Sequence, residues 1–189
     1  MYQKYTTLGF IVNTRGSGEA DRLFLIYTKD FGMIFAHATS VRMSKSKLRP
    51  HLNVGSELHL TVLKSKNRWK ITEARESGEK LLINSKEYKV FLKILTVLKS
   101  LIHGEEKNES LFEVLSNFYN FLLKDNDKNI LEAGELLGMV SVLKVLGYGE
   151  ELDISEYSGE FEEENLKKIL TDKTNIIKKI NKSLKATGF

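Results

Sequence analysis

The sequence predicts an α+β protein in which a small five-stranded β-barrel precedes an all-helical part. Up to about residue 76, short runs rich in β-branched and aromatic residues alternate with turn signals, whereas beyond residue 80 the apolar residues recur at helical spacing. Charge changes at the same place: residues 1–79 hold all six arginines, seven lysines and seven acids, but residues 80–189 hold 16 lysines and 18 acids. We therefore expect two domains, residues 1–79 and residues 80–189.

Five strands are predicted in the first part. Alternation is clearest in the fourth, where Leu58, Leu60 and Val62 share one face. A longer segment, residues 40–55, follows the third strand and holds the only proline. Short strands with a long excursion after the third are typical of the oligonucleotide-binding (OB) fold. The predicted strands are Tyr5–Thr14, Arg22–Thr28, Met33–Thr39, Glu57–Lys64 and Trp69–Glu73.

Helices are predicted in the second part. The first begins at a cap, Asn84 or Ser85, and ends at Gly104. A second carries the apolar residues between positions 111 and 122, and a third runs from about Ile130 to Leu146. Residues 150–164 then contain eight acids and no base. The last 25 residues contain seven lysines and a further helical stripe formed by Ile176, Ile177, Ile180 and Leu184.

Composition excludes several classes of protein. The chain has no cysteine, which rules out disulfides and thiolate metal sites and is typical of a reducing compartment. Its first residues lack the pattern of a signal peptide, and no apolar run approaches the roughly 18 residues of a membrane span. We therefore expect a soluble cytoplasmic protein without metal or other cofactor.

The predicted DNA-binding residues are basic side chains of the first part. No acid occurs between residues 31 and 56, so cations there present an uncancelled positive field to phosphates. If exposed, Tyr27, Phe35 or Trp69 could stack on bases, although a core position is favoured for Trp69. A plain solvated loop is the alternative for the charges. The candidates are Arg42, Lys45, Lys47 and Arg49 in the long segment, and Lys64, Lys66, Arg68 and Lys70 around the last hairpin; on an OB barrel both groups could flank one groove.

Glu19, Asp21 and Arg22 are predicted to be structural. They follow the turn at Gly16–Gly18, where a short acid can accept backbone N–H groups, and Arg22 is a possible ion-pair partner. A nuclease would use such carboxylates to hold Mg²⁺, but it would need more converging acids than this part offers. Four scattered histidines supply no metal or triad spacing. Nothing in the sequence requires catalysis.

The order of motifs resembles the RecO family of bacterial recombination mediators. Residues 18–32 contain a Gly-Glu-Ala-Asp-Arg-Leu motif followed by Tyr27-Thr28 and Gly32, as in that family. Further matches are Val41-Arg42 with Ser46, Leu48-Arg49 and Leu52; Ile71 with Glu73-Ala74; and Leu143 with Leu146-Gly147-Tyr148 and Leu152-Asp153. Two departures stand out. Ser155 and Ser158 replace the cysteines of a zinc motif, and Ser40 replaces a glycine.

The resemblance implies an OB barrel followed by helices and a non-enzymatic role in DNA repair. It implies binding of single- and double-stranded DNA, annealing of complementary strands, and association with the nucleoid. It also implies contacts with RecR and with the acidic C-terminal tail of single-stranded-DNA-binding protein (SSB), and assistance in loading RecA. From the residues alone, a protein–protein adaptor and an RNA-binding OB module stay open as alternatives.

Overall fold

The computed structural model describes residues 3–66, 68–148 and 160–186. Within this range the fold is five strands followed by five helices, which confirms the predicted α+β class. The strands are β1 (Gln3–Ser17), β2 (Asp21–Thr28), β3 (Gly32–Ala38), β4 (Glu57–Ser65) and β5 (Arg68–Glu76). The helices are α1 (Lys86–Leu101), α2 (Glu109–Leu122), α3 (Lys128–Val145), α4 (Glu163–Thr171) and α5 (Lys173–Ala186).

The five strands close into a barrel in the order β1-β2-β3-β5-β4. Closure depends on the long strand β1, whose first half pairs with β4 and whose second half pairs with β2. An irregularity between Ile11 and Asn13 lies within the half that pairs with β2, and such bulges bend a strand. The single parallel contact joins β3 to β5. This topology is that of the predicted OB fold.

Inward-facing side chains of every strand fill the barrel. Phe24, Ile26, Ile34, Leu58 and Leu60 are fully buried, in keeping with the two-residue period of strands. At one mouth the core is completed by residues from outside the strands, namely Val41 and Leu52 of the segment between β3 and β4. That segment, residues 39–56, is called the basic connection below.

The chain divides into two compact units, and their limits differ from the simple order of barrel and helices. One unit contains residues 1–81 together with residues 102–109, and the other contains residues 82–101 and 110–189. Residues 102–109, called the strap below, therefore cluster with the barrel although they lie between two helices. The sequence did not predict that these residues between α1 and α2 pack with the barrel, because the strap has neither strand nor helix periodicity.

The second unit is built on aromatic packing between α2 and α3. Gly134 and Gly138 of α3 face Phe121 and Phe118, and a Cβ at Gly134 would lie 2.1 Å from the Phe121 ring. The rings of Phe121 and Phe161 stack 4.8 Å apart. The absence of side chains at the two glycines thus allows α3 to approach the rings of α2 closely.

Most helix limits match the predicted ones, with two differences. Helix α1 ends at Leu101 instead of Gly104, and its predicted cap is present, since the Ser85 hydroxyl accepts a hydrogen bond from the Tyr88 N–H at 3.0 Å. Helix α4 was not predicted, because the acidic run at its start hid its apolar face. That face consists of Leu166 and Ile169, both buried. The predicted acidic stretch otherwise falls largely outside the described residues, as do Ser155 and Ser158.

Candidate nucleic-acid interface

The basic connection is fixed to the barrel along its length. Val41 and Leu52 are buried in the barrel core, and Leu48 packs partly against it. Backbone hydrogen bonds hold both ends: the Arg42 N–H donates to Ala20 at 3.0 Å, and the Gly55 N–H donates to Ile11 at 2.8 Å. A segment that is irregular in secondary structure is therefore held in place by apolar anchors.

The cations of the connection lie at the surface of the protein. Arg42, Lys45, Lys47 and Arg49 are all exposed. In the part of the chain that the structure describes, no carboxylate forms an ion pair with any of them. Apolar residues thus face the core while charges face solvent, and no ion pair within the described residues neutralises the positive field of the connection.

A pocket of about 390 Å³ lies where the connection crosses the mouth of the barrel. Three arginines line it: Arg42 and Arg49 from the connection and Arg22 from the start of β2. Its remaining lining residues are Phe24, Val41, Leu52 and Asn53. Arg22 reaches the pocket because it lies two residues before Phe24 on the strand and shares its face.

Asp21 holds the beginning of the connection. Its Oδ1 accepts a hydrogen bond from the Ser40 N–H at 2.7 Å, and Ser40 adopts a left-handed backbone with φ of 54°. The sequence predicted that this carboxylate accepts a backbone N–H, but the donor lies in the connection and not in the turn beside Asp21. Glu19 is exposed. Over the described ranges, no ion pair joins Arg22 to either acid, so its guanidinium is available to the pocket.

Lys64, a predicted DNA-binding residue, forms an ion pair with Glu105 of the strap. Its Nζ lies 2.7 Å from Glu105 Oε2 and 4.6 Å from the centre of the Trp69 ring. The other oxygen of the Glu105 carboxylate accepts a hydrogen bond from the Trp69 indole N–H at 2.7 Å. Burial tends to raise the pKa of the Glu105 carboxyl, but hydrogen bonds from Lys64 and Trp69 and the lysine charge hold it below its ordinary value. Lys66, Arg68 and Lys70 are exposed beside this cluster.

Two of the three candidate stacking residues are enclosed. Trp69 is 2% exposed and contacts the rings of Tyr5 and Phe31, so its predicted core position is confirmed. Tyr27 is fully buried, which raises its pKa to about 12, and its hydroxyl donates to the Asn108 carbonyl of the strap at 3.1 Å. Neither ring can stack on a base in this structure.

Phe35, the third candidate, is presented on the outer face of β3. Its side chain is 56% exposed, and the Arg15 guanidinium lies 5.9 Å from the centre of its ring. Lys70 of the neighbouring strand β5 pairs with His37, which lies two residues from Phe35 on β3. Lys70 is therefore also close to this ring. An exposed aromatic flanked by cations is a platform on which a base can stack. The sequence did not predict the contact of Arg15 with Phe35, since β2 lies between the strands that carry these two residues.

Among the described residues, no group of three metal-ligating side chains converges. Of the helices in the same range, none is long and apolar enough to cross a membrane.

Comparison with known proteins supports the resemblance seen in the motifs. Residues 1–76 match the family described as "Recombination protein O N terminal". The chain is 25% identical over 155 residues to a DNA repair protein RecO of Alkaliphilus metalliredigens, a match that covers 81% of this chain and 57% of the relative. It is 26% identical over 149 residues to the RecO of Mycoplasma capricolum, covering 75% of this chain and 58% of that protein. The RecO of Chlorobium limicola is 25% identical over 149 residues, with 75% and 55% covered.

The resemblance to RecO thus extends over most of the chain and includes the whole barrel. The chain spans between 55% and 58% of the length of these relatives.

Proposed function

We propose that this chain, whose barrel matches the N-terminal domain of recombination protein O, is a non-enzymatic DNA-binding protein of recombinational repair. The observation that carries the proposal is the basic connection, which is fixed to an OB barrel and presents four exposed cations that form no ion pair with any described residue. Cations held on a fixed backbone bind successive phosphates without reading sequence, as a mediator requires.

The exposed ring of Phe35 supports a role on single strands. Stacking on an aromatic side chain is tolerant of sequence, because every base has a π-face. Backbone contacts by the connection together with stacking on Phe35 would hold a strand while leaving most of its bases free to pair. This arrangement favours the annealing of complementary strands, and no step of annealing needs a catalytic group.

The partners of the chain are proposed from its relatives. By similarity to RecO we propose that it works with RecR, contacts the acidic C-terminal tail of SSB, and assists RecA on SSB-coated strands. The helical unit is the candidate site for the tail, because α5 carries exposed lysines along a helix. Binding of the labelled tail peptide to the full chain, measured by fluorescence anisotropy, tests this part separately from DNA binding.

The salt dependence of DNA binding tests the central proposal. We expect the affinity of the wild-type chain for a single-stranded oligonucleotide to fall steeply with salt. Each phosphate contact contributes roughly 0.7 to the slope of log affinity against log salt. Alanine at Arg42, Lys45, Lys47 and Arg49 together should therefore lower that slope by about 3.

A matched control removes four charges elsewhere. Lys86, Lys89, Lys99 and Lys124 are exposed lysines of the helical unit, and their replacement by alanine changes the net charge equally. We expect this control to keep the wild-type slope. If the two quadruple variants lower the salt slope by the same amount relative to the wild type, net charge, and not the connection, determines binding. A wild-type chain that binds no DNA would favour the adaptor alternative, and a preference of more than about tenfold for RNA of the same sequence would favour the RNA-binding module.

A further inference from the structure

The pocket at the mouth of the barrel combines three arginines with an apolar lining. Arg22, Arg42 and Arg49 come from two separate segments of the chain and line one cavity. Its floor is the apolar end of the barrel core, formed by Phe24, Val41 and Leu52. Lys45 and Lys47, by contrast, belong to the exposed part of the connection and do not line this pocket.

Three guanidinium groups around one cavity repel one another. Cations that share a site normally have acids between them, but none of the described residues that line this pocket is a carboxylate. Asp21, the acid next to Arg22 in sequence, uses one oxygen to hold the Ser40 N–H. In the described part of the chain, none of the three arginines forms an ion pair. An anion bound in the pocket would relieve this repulsion, since its charge is opposite to that of all three.

The chemistry of arginine favours phosphate as that anion. A guanidinium presents a planar fork of N–H donors that matches the oxygens of a phosphate, and arginine is the side chain preferred for such contacts. In a DNA strand that group is a phosphodiester, whose two non-bridging oxygens carry the charge and can each accept more than one hydrogen bond. The pocket is also continuous with the basic connection, because Arg42 and Arg49 belong to both.

We propose that Arg22, Arg42 and Arg49 form a phosphate-binding subsite that holds one phosphate group of a bound DNA strand. This inference rests on the proposed function and adds Arg22 as a DNA-binding residue. The exposed lysines of the connection then attract the phosphates of the strand over a longer range. The arginine pocket fixes the strand at a single point, where Asn53 is a further polar group of the lining.

The subsite predicts that Arg22 contributes to DNA affinity although it lies outside the connection. The test compares Arg22→Gln with Arg75→Gln, which removes another exposed arginine of the same barrel that does not line the pocket. Affinity for a single-stranded oligonucleotide is measured by anisotropy on the full chain. We expect Arg22→Gln to weaken binding by about fivefold to tenfold near physiological salt and Arg75→Gln to change it by less than about twofold.

A second measurement detects the subsite without DNA. Inorganic phosphate binds the folded pocket and should raise the melting temperature of the wild-type chain above that in chloride of equal ionic strength. We expect this shift to disappear in Arg22→Gln and to remain in Arg75→Gln. If Arg22→Gln does not fold, Arg22→Lys is used instead. It keeps the charge but loses the fork, so we expect a smaller phosphate shift than in the wild-type chain and a DNA affinity below that of Arg75→Gln.

The outcomes separate this inference from the proposed function. If the wild-type chain binds DNA with the expected salt slope but Arg22→Gln binds as well as Arg75→Gln, the subsite is refuted while the basic connection stands. The subsite is also refuted if Arg22→Gln loses the phosphate-induced rise in melting temperature but keeps wild-type DNA affinity. The pocket would then bind a free oxyanion and not the DNA backbone. Displacement of phosphate from the pocket by an acidic peptide but not by DNA would overturn it in favour of a protein partner.

Discussion

Replacement of Glu105 tests how the strap is attached to the barrel. Its carboxylate joins two groups, the Lys64 ammonium at 2.7 Å and the Trp69 indole N–H at 2.7 Å. Glu105→Gln keeps an oxygen for the indole but removes the charge that faces Lys64. Both ionic side chains are more than a third exposed, so solvent screens the pair and its loss should cost only about 0.5 kcal/mol of unfolding free energy.

Glu105→Ala removes the acceptor as well. The indole belongs to a side chain that is 2% exposed, and its N–H then has no partner from the strap. An unsatisfied donor of this kind costs about 1–3 kcal/mol, so the alanine variant should be less stable than the glutamine variant by roughly that amount. Glu106→Gln is the control, since it changes the neighbouring exposed acid of the strap.

The assay is urea denaturation followed by tryptophan fluorescence. Trp69 is the only tryptophan in the chain, so the signal reports on the barrel alone. Because the folded-state pKa of Glu105 is lowered, its ionised form stabilises the fold at neutral pH. The advantage of the wild type over Glu105→Gln should therefore shrink as the pH falls below the usual carboxyl pKa of about 4.3 and through the lower folded-state value. Equal stability of the glutamine and alanine variants would refute the role given to the indole hydrogen bond. A wild-type advantage that persists in acid would refute the role given to the charge.

Three further predictions follow from single positions in the barrel. Phe35→Ala should weaken binding of single strands by about 1–3 kcal/mol and leave duplex binding and melting temperature nearly unchanged, as measured by anisotropy on both substrates. Asp21→Ala should lower the unfolding free energy by about 1 kcal/mol, because the Ser40 N–H loses its acceptor; a melting curve unchanged from wild type would contradict this. Gly32→Ala should destabilise the barrel by at least about 1 kcal/mol more than Gly18→Ala. Both glycines have positive φ, but only at Gly32 would a Cβ meet backbone of the strap, at 2.1 Å, so equal denaturation midpoints would count against that contact.

Local pattern was sufficient to predict the five strands, the helices other than α4, and the position of the basic connection. The alternation in β4 and the turn at Gly32 follow from backbone geometry and side-chain polarity within a few residues. The long acid-free segment is equally visible in the sequence, and the structure shows its four cations exposed. Helix α4 escaped prediction although its stripe of Leu166 and Ile169 is local, because its acidic start resembled a solvated loop.

Only the tertiary structure decided which polar groups meet. Lys64 belongs to the most basic hairpin of the sequence, yet its nearest carboxylate comes from Glu105, 41 residues away. Arg22 is adjacent in sequence to an acid, but the strand directs it into a pocket with Arg42 and Arg49. Local periodicity determines on which face of a strand a side chain lies, because the backbone repeat is fixed. It cannot determine what packs against that face, since such contacts arise only when barrel closure brings distant segments together. The strap and the arginine pocket depend on contacts of that kind, so they could not be predicted from the sequence.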